Sequence, residues 1–108
     1  MPKSDEPMWS MVMFDLPVKT KTQRLHATQF RQLLLDCGYQ MVQFSVYARF
    51  SPSSASMLPT VRRIKSGLPH GGDVRIVSIT DHQWATALRF SSGTTAEVED
   101  APLQLTIF

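Results

Sequence analysis

The sequence predicts an α+β sandwich, and three observations carry that prediction. Residues 9–14 are apolar except for Ser10, the pattern of a buried central strand. Residues 41–50 and 74–79 carry strand patterning of their own, rich in β-branched and aromatic side chains. Between these strands lie two stretches with apolar residues at helical spacing. They are Phe30, Leu33, Leu34 and Cys37 in the first and Met57, Val61, Ile64 and Leu68 in the second.

The first strand covers residues 9–16 and stops at Pro17, which has no N–H to continue a central ladder. Thr20 or Thr22 can cap the helix that follows, Gly38 ends it, and Lys21, Arg24 and Arg31 lie on or beside its polar side. From Met41 the alternation is strict. Val42, Phe44, Val46, Ala48 and Phe50 share one face, and Gln43, Ser45, Tyr47 and Arg49 share the other. One long strand, or two short ones meeting at a corner near residues 43–45, fits this pattern equally. Ser51-Pro52-Ser53-Ser54 is a turn. The second helix tolerates Pro59 only in its first turn and carries Arg62, Arg63 and Lys65 outward.

Pro69-His70-Gly71-Gly72 breaks the second helix, and residues 74–79 form a strand with Arg75 pointing away from Val74 and Ile76. Asp81 to Trp84, with Ala85, Leu88 and Phe90, gives a short helical turn whose apolar side packs on the sheet. A Ser/Gly/Thr linker starts at Ser91, and Leu103 to Phe108 alternates like a strand on a tether of about a dozen loop-like residues, suited to pairing with another subunit's edge. The order βαββαβ is that of the ferredoxin-like sandwich, here with an additional C-terminal strand. The predicted organisation is a flexible extension over 1–8, a ferredoxin-like domain over 9–90, and a linker with a contact strand over 91–108. Two helices cover one sheet face, so the uncovered face of so small a domain predicts a homodimer.

With 108 residues and 43% apolar content, the chain suits one domain with an adequate core. No apolar run reaches the roughly 18–20 residues that cross a bilayer. The N-terminus lacks the basic-then-apolar order of a signal peptide, so the expected location is cytoplasmic, with no membrane partner. Cys37 is the single cysteine, which excludes a disulfide framework within the chain and reads as a packed helix residue. From Asp15 to Phe90, ten Lys and Arg face four Asp, a net charge of +6, and the remaining acids sit near the termini. A basic body favours a polyanionic partner.

Asp15 is the sharpest candidate for chemistry, since it emerges where a buried strand leaves the core. Magnesium is commonly held by one or two protein carboxylates together with water and phosphate oxygens, so one Asp per subunit suffices if a dimer brings two together. The competing reading makes Asp15 a cap of the turn into the first helix. The next acid along the chain, Asp36, falls at the far end of that helix, leaving no second acid nearby in sequence. His26, His70 and His82 lack the spacing of a zinc site. Ser45 and Tyr47 have no paired base and read as alternating strand positions. Arg62-Arg63-x-Lys65 suits backbone phosphates rather than bases. Trp84 reads as a packing residue, and Gly71-Gly72 is too isolated for a phosphate-binding loop.

These residues resemble a known family, the small CRISPR adaptation subunit described as the CRISPR-associated endoribonuclease, in its type II-like branch. The likeness runs through Met13-Phe14-Asp15-Leu16-Pro17-Val18-x-Thr20-Lys21, Arg24, Phe30-Arg31, Leu34, Gly38-Tyr39 and Met41-x-Gln43-Phe44-Ser45-Val46-Tyr47-x-Arg49. It continues more loosely through the basic second helix, Leu68-Pro69, Val74-Arg75 and Gln83. The resemblance implies a ferredoxin-like homodimer that bridges two dimers of the CRISPR integrase subunit and supports a prespacer double-stranded DNA fragment. It also implies divalent-metal-dependent cleavage of RNA or DNA in some members, with Asp15 near the dimer axis, and a terminal strand packed at a subunit or integrase contact. The serine-rich turn with Pro59 and the segment from Gly93 to Ala101 depart from the family pattern.

Three functions compete on this reading. The leading one is a structural subunit of the spacer-integration complex, with Lys19, Lys21, Arg24, Arg62, Arg63 and Lys65 as phosphate contacts. The second is a nuclease in which Asp15 holds Mg2+, or another divalent cation, for phosphodiester hydrolysis. The third is a ligand-sensing module, which the lack of a glycine-rich ligand loop disfavours.

Overall fold

The computed structural model describes residues 6–92; the expected C-terminal strand and the segment before it lie outside the described residues. The chain runs β1 (Met8–Asp15), α1 (Lys21–Asp36), β2 (Gln40–Gln43), β3 (Val46–Ser51), a 3-10 turn (Ser54–Met57), α2 (Leu58–Ser66), β4 (Asp73–Thr80) and α3 (Asp81–Ala85). The sheet order is β2-β3-β1-β4 with every neighbouring pair antiparallel, the ferredoxin-like arrangement. The 41–50 alternation resolves into two short strands. Phe44 and Ser45 form the turn between them, and a register shift between Met41 and Gln43 marks a bulge at Val42.

Local chemistry fixes each element. Thr20 caps α1 with a full capping box: its hydroxyl accepts from the Gln23 N–H at 3.0 Å, and the Gln23 side chain accepts from the Thr20 N–H at 3.0 Å. At the other end Gly38 takes φ +91°, and the Tyr39 and Gly38 N–H groups return to the Leu34 and Leu35 carbonyls, each at 3.0 Å. That pairing is a Schellman termination, and its apolar clasp is Tyr39 on Leu34, both members of the core cluster. Pro59 falls in the first turn of α2, as expected. Helix α2 ends at Ser66, short of the predicted Leu68, which lies beyond it and is 47% exposed. Pro69 follows two residues after Gly67, where a helix cannot resume.

The sheet's two faces differ in kind. Val12 and Phe14 of β1, with Tyr47 of β3, meet Phe30, Leu34 and Ile64 from the helices, and Tyr39 completes the core. Tyr47 and Arg49 therefore sit on the face that the helices cover, although their alternation with Val46, Ala48 and Phe50 reads as the polar side. The register explains the inversion: Tyr47 stands opposite Val12 and Arg49 opposite Ser10. Three of the polar groups there are paired, whereas the fully buried Ser51 Oγ, opposite Met8, has no partner. Tyr39 Oη and Ser10 Oγ lie 2.7 Å apart in the buried layer, and Arg49 Nη1 donates to Thr60 Oγ1 at 3.0 Å.

Burial pushes the Tyr39 hydroxyl above its ordinary pKa of 10.0, partly opposed by its bond to Ser10 and by Arg49. A proton held more tightly in the folded state gives stability that is complete below pH 10.0 and is lost as pH rises above it. Chemical denaturation across this alkaline range is expected to show falling stability in the wild type. In Tyr39→Phe the fall is shallower, on a lower baseline because Ser10 loses its buried partner.

Candidate metal and nucleic-acid interface

The last pair of the β1–β4 ladder puts Asp15 directly opposite Asp73. Opposed residues of an antiparallel pair project from one face of the sheet, with Cβ atoms typically about 4.5–5.5 Å apart. The face is the one without helices, since its neighbours on β1 are Trp9, Met11 and Met13, while the even-numbered residues of β1 are buried. Both carboxylate residues are exposed. They line an open cleft of about 310 Å³ with Met13, Phe14 and Arg75. The sequence gives no nearby second acid, yet the sheet supplies one from 58 positions downstream; antiparallel pairing of β1 with β4 is the signal that would have found it.

Asp15 does not cap α1, a task done by Thr20. The loop before Asp73 is what holds the pair in place. Gly71 and Gly72 adopt φ +78° and +80°, and a Cβ on Gly72 would lie 2.8 Å from the Asp15 carbonyl oxygen and 2.9 Å from Leu16. These glycines thus serve a tight backbone crossing at the site rather than a phosphate cradle. The donor set, two hard carboxylates open to solvent, fits Mg2+ completed by water and phosphate oxygens. Among the described residues, no cluster of three or more His, Cys, Asp or Glu gathers to hold a metal ion.

The six basic candidates divide between two elements. Lys19 and Lys21 stand exposed at the start of α1, while Arg24 donates through Nη1 to the Val18 and Lys19 carbonyls at 3.1 Å each and so braces that loop. Arg62, Arg63 and Lys65 project exposed from α2. Both helices pack on the even-numbered side of β1, so α1 and α2 lie opposite the face that bears Asp15. No helix among the described residues is long and apolar enough to cross a membrane.

An aromatic clip closes the end of the open face remote from Asp15. Trp9 stacks on Trp84 at 4.9 Å between ring centroids, meets Phe50 edge-on at 5.5 Å, and donates its indole N–H to Asp81 Oδ1 at 2.8 Å. Trp84 thus packs against the sheet, as its apolar spacing implies. The Thr80–Gln83 capping box fixes α3 in register for this contact.

The profile of the family "CRISPR associated protein Cas2" matches residues 8–87, from the start of β1 to just past α3. The chain belongs to the Cas2 family. A CRISPR-associated endoribonuclease Cas2 of Paracidovorax avenae is 46% identical over 101 residues, covering 94% of each chain. Its counterpart in Flavobacterium psychrophilum is 37% identical and covers 94% of this chain and 88% of its own. Among solved structures, Streptococcus pyogenes Cas2 superposes with a TM-score of 0.60 at 19% identity, covering 77% of this chain and 99% of that one, a likeness of fold. The Cas2 match encloses Asp15, Asp73 and all six basic candidates.

Substitution at the crossing separates strain from close approach. Gly71→Ala meets only Pro17 Cγ at 3.6 Å, so its cost is the left-handed conformation alone, about 1–2 kcal/mol. Gly72→Ala adds a collision with the Asp15 backbone. Thermal unfolding is expected to place both variants below the wild type, at roughly 4–8 °C per kcal/mol for a domain of this size, with Gly72→Ala clearly the lower.

Proposed function

We propose that this chain is a dimeric structural subunit of the CRISPR adaptation complex, bridging integrase dimers and binding prespacer double-stranded DNA. The observation that carries the reading, within a Cas2 family member, is the two-faced sheet. Its helix side buries Val12, Phe14 and Tyr47 under the helices, whereas the other side offers Met11, Met13, Val46, Val77 and Ile79 only partly covered, with Phe50 46% exposed. An apolar face of that kind is stabilised by a self-complementary contact with a second copy. Two subunits joined there would turn their helical layers outward, giving Arg62, Arg63 and Lys65 on each side to hold backbone phosphates.

A second reading, phosphodiester cleavage, is favoured by one specific observation, the Asp15–Asp73 pair, and by the endoribonuclease names of the relatives. Bound Mg2+ would supply charge stabilisation and an activated water. Asp15 would hold the ion with Asp73 beside it, and Arg75, lining the same cleft, would receive a phosphate oxygen. Lys19 and Lys21 would anchor flanking phosphates.

Reconstitution with the cognate integrase and a prespacer tests the two together. Asp15→Asn is expected to integrate the fragment at close to the wild-type rate, and loss of integration in an intact complex would overturn the scaffold reading. In the same protein, any Mg2+-dependent cleavage of RNA or DNA is expected to vanish, and a substituted protein that still cleaves would overturn the nuclease role of Asp15. Removing two phosphate contacts with Arg62→Ala and Arg63→Ala is expected to lower the slope of log affinity against log salt by about 1.8 on duplex DNA. An unchanged slope would remove those side chains from the interface.

A further inference from the structure

Phe44 is 71% exposed, the most exposed of the large apolar residues, and occupies the β2–β3 turn. Its ring is not loose. The Arg31 guanidinium carbon stands 4.4 Å from the Phe44 centroid and 5.4 Å from that of Phe14, so one cation joins the exposed ring to a core ring. The Arg31 Nε is buried without a hydrogen-bond partner, leaving the contact with the rings to hold the guanidinium. Arg31 belongs to α1, so the Phe44 ring lies toward the helix-covered side of the sheet. The bulge at Val42 produces this: Val42, Gln43 and Val46 line one groove on the open face, and Phe44, expected beside them, turns the other way. A partner subunit docked on the open face would therefore leave this ring uncovered.

Charge selects the occupant. Residues 16–35 contain no acid, and Lys21, Arg24 and Arg31 recur at three and seven residues, along one side of α1. A row of cations ending at a rigid, exposed aromatic ring is the combination that holds unpaired nucleic acid, the cations following phosphates and the ring taking a base face. Within a duplex both faces of a base are covered by its neighbours, so only an unpaired or terminal base can use the ring.

We propose that Phe44, backed by Arg31, is a stacking platform for an unpaired nucleobase, binding single strands or the frayed end of a duplex. The inference rests on the nucleic-acid reading above and adds a site for the strand end.

Fluorescence anisotropy with an end-labelled single-stranded oligonucleotide and a covalently closed double-stranded DNA minicircle labelled internally, which has no terminal base pair, tests it, using wild type, Phe44→Leu and Phe44→Trp. The expected result is a loss of about 5- to 150-fold in single-strand affinity for Phe44→Leu, with the salt slope unchanged because no phosphate contact is removed, and recovery in Phe44→Trp. Minicircle affinity is expected to stay level. Equal single-strand binding by Phe44→Leu and wild type would overturn the proposal while leaving duplex binding, and the reading beneath it, intact. A wild type that binds neither probe would overturn both. A Phe44→Leu protein of altered oligomeric state on size-exclusion chromatography would also overturn it, assigning the ring to a subunit contact.

Discussion

The placement of β1 between β3 and β4 is the constraint on which the rest of the molecule depends. Eight consecutive pairs tie it to β4, and six tie it to β3, so its alternation is imposed on both neighbours. A slip of one residue would carry Val12 and Phe14 out of the core and bring Trp9, Met11 and Met13 beneath the helices. The same slip would separate Asp15 from Asp73 and Trp9 from α3. Core, clip and candidate metal site are therefore consequences of a single register rather than three independent designs.

That register is held by the ends of the strand as much as by its middle. At the N-terminal end, Trp9 is fixed by Trp84, Phe50 and the Asp81 carboxylate, and the Asp81 N–H donates to the Pro7 carbonyl at 3.3 Å. At the C-terminal end, the Phe14 N–H donates to the Ser45 carbonyl at 3.1 Å, and the Gly72 backbone crosses the Asp15 carbonyl with no room for a side chain. The clip covers one end of the helix-free face and leaves the Asp15 end open.

Much of this was legible in the sequence where the signal is local. A threonine cap at Thr20 or Thr22, which the structure places at Thr20, Gly38 after Cys37, and Pro59 in a first turn are short-range patterns whose physics is complete within a few residues. Asp15 was legible because a strand-end acid after an apolar run has few packing roles. What stayed hidden depended on pairing across the chain. Tyr47 and Arg49 look polar beside Val46 and Ala48, and only their pairing with Val12 and Ser10 puts them under the helices. Phe44 follows the apolar alternation on paper, but a bulge two residues earlier reverses its direction. Asp73 is an ordinary loop-end acid until β4 folds back on β1.

Departures from local rules occur at both ends of the sheet and are denser at the Asp15 end. Two acids oppose each other on adjacent strands, which disfavours pairing by up to about 1 kcal/mol. Two glycines adopt left-handed conformations, and Arg31 buries a donor atom without a partner beneath Phe44. At the opposite end, Trp9, Asp81, Thr80 and Gln83 satisfy one another, while Ser51 Oγ, opposite Met8, is buried without a partner. A fold of this size has little stability to spare, so a concentration of unfavourable features at the Asp15 end points to what that end does. A cation between the acids would remove their repulsion, and a base on Phe44 would cover the ring. Ligands of those two kinds would relieve these features. On the proposed reading, a nucleic-acid strand end with its associated divalent ion would bring both to the molecule at once.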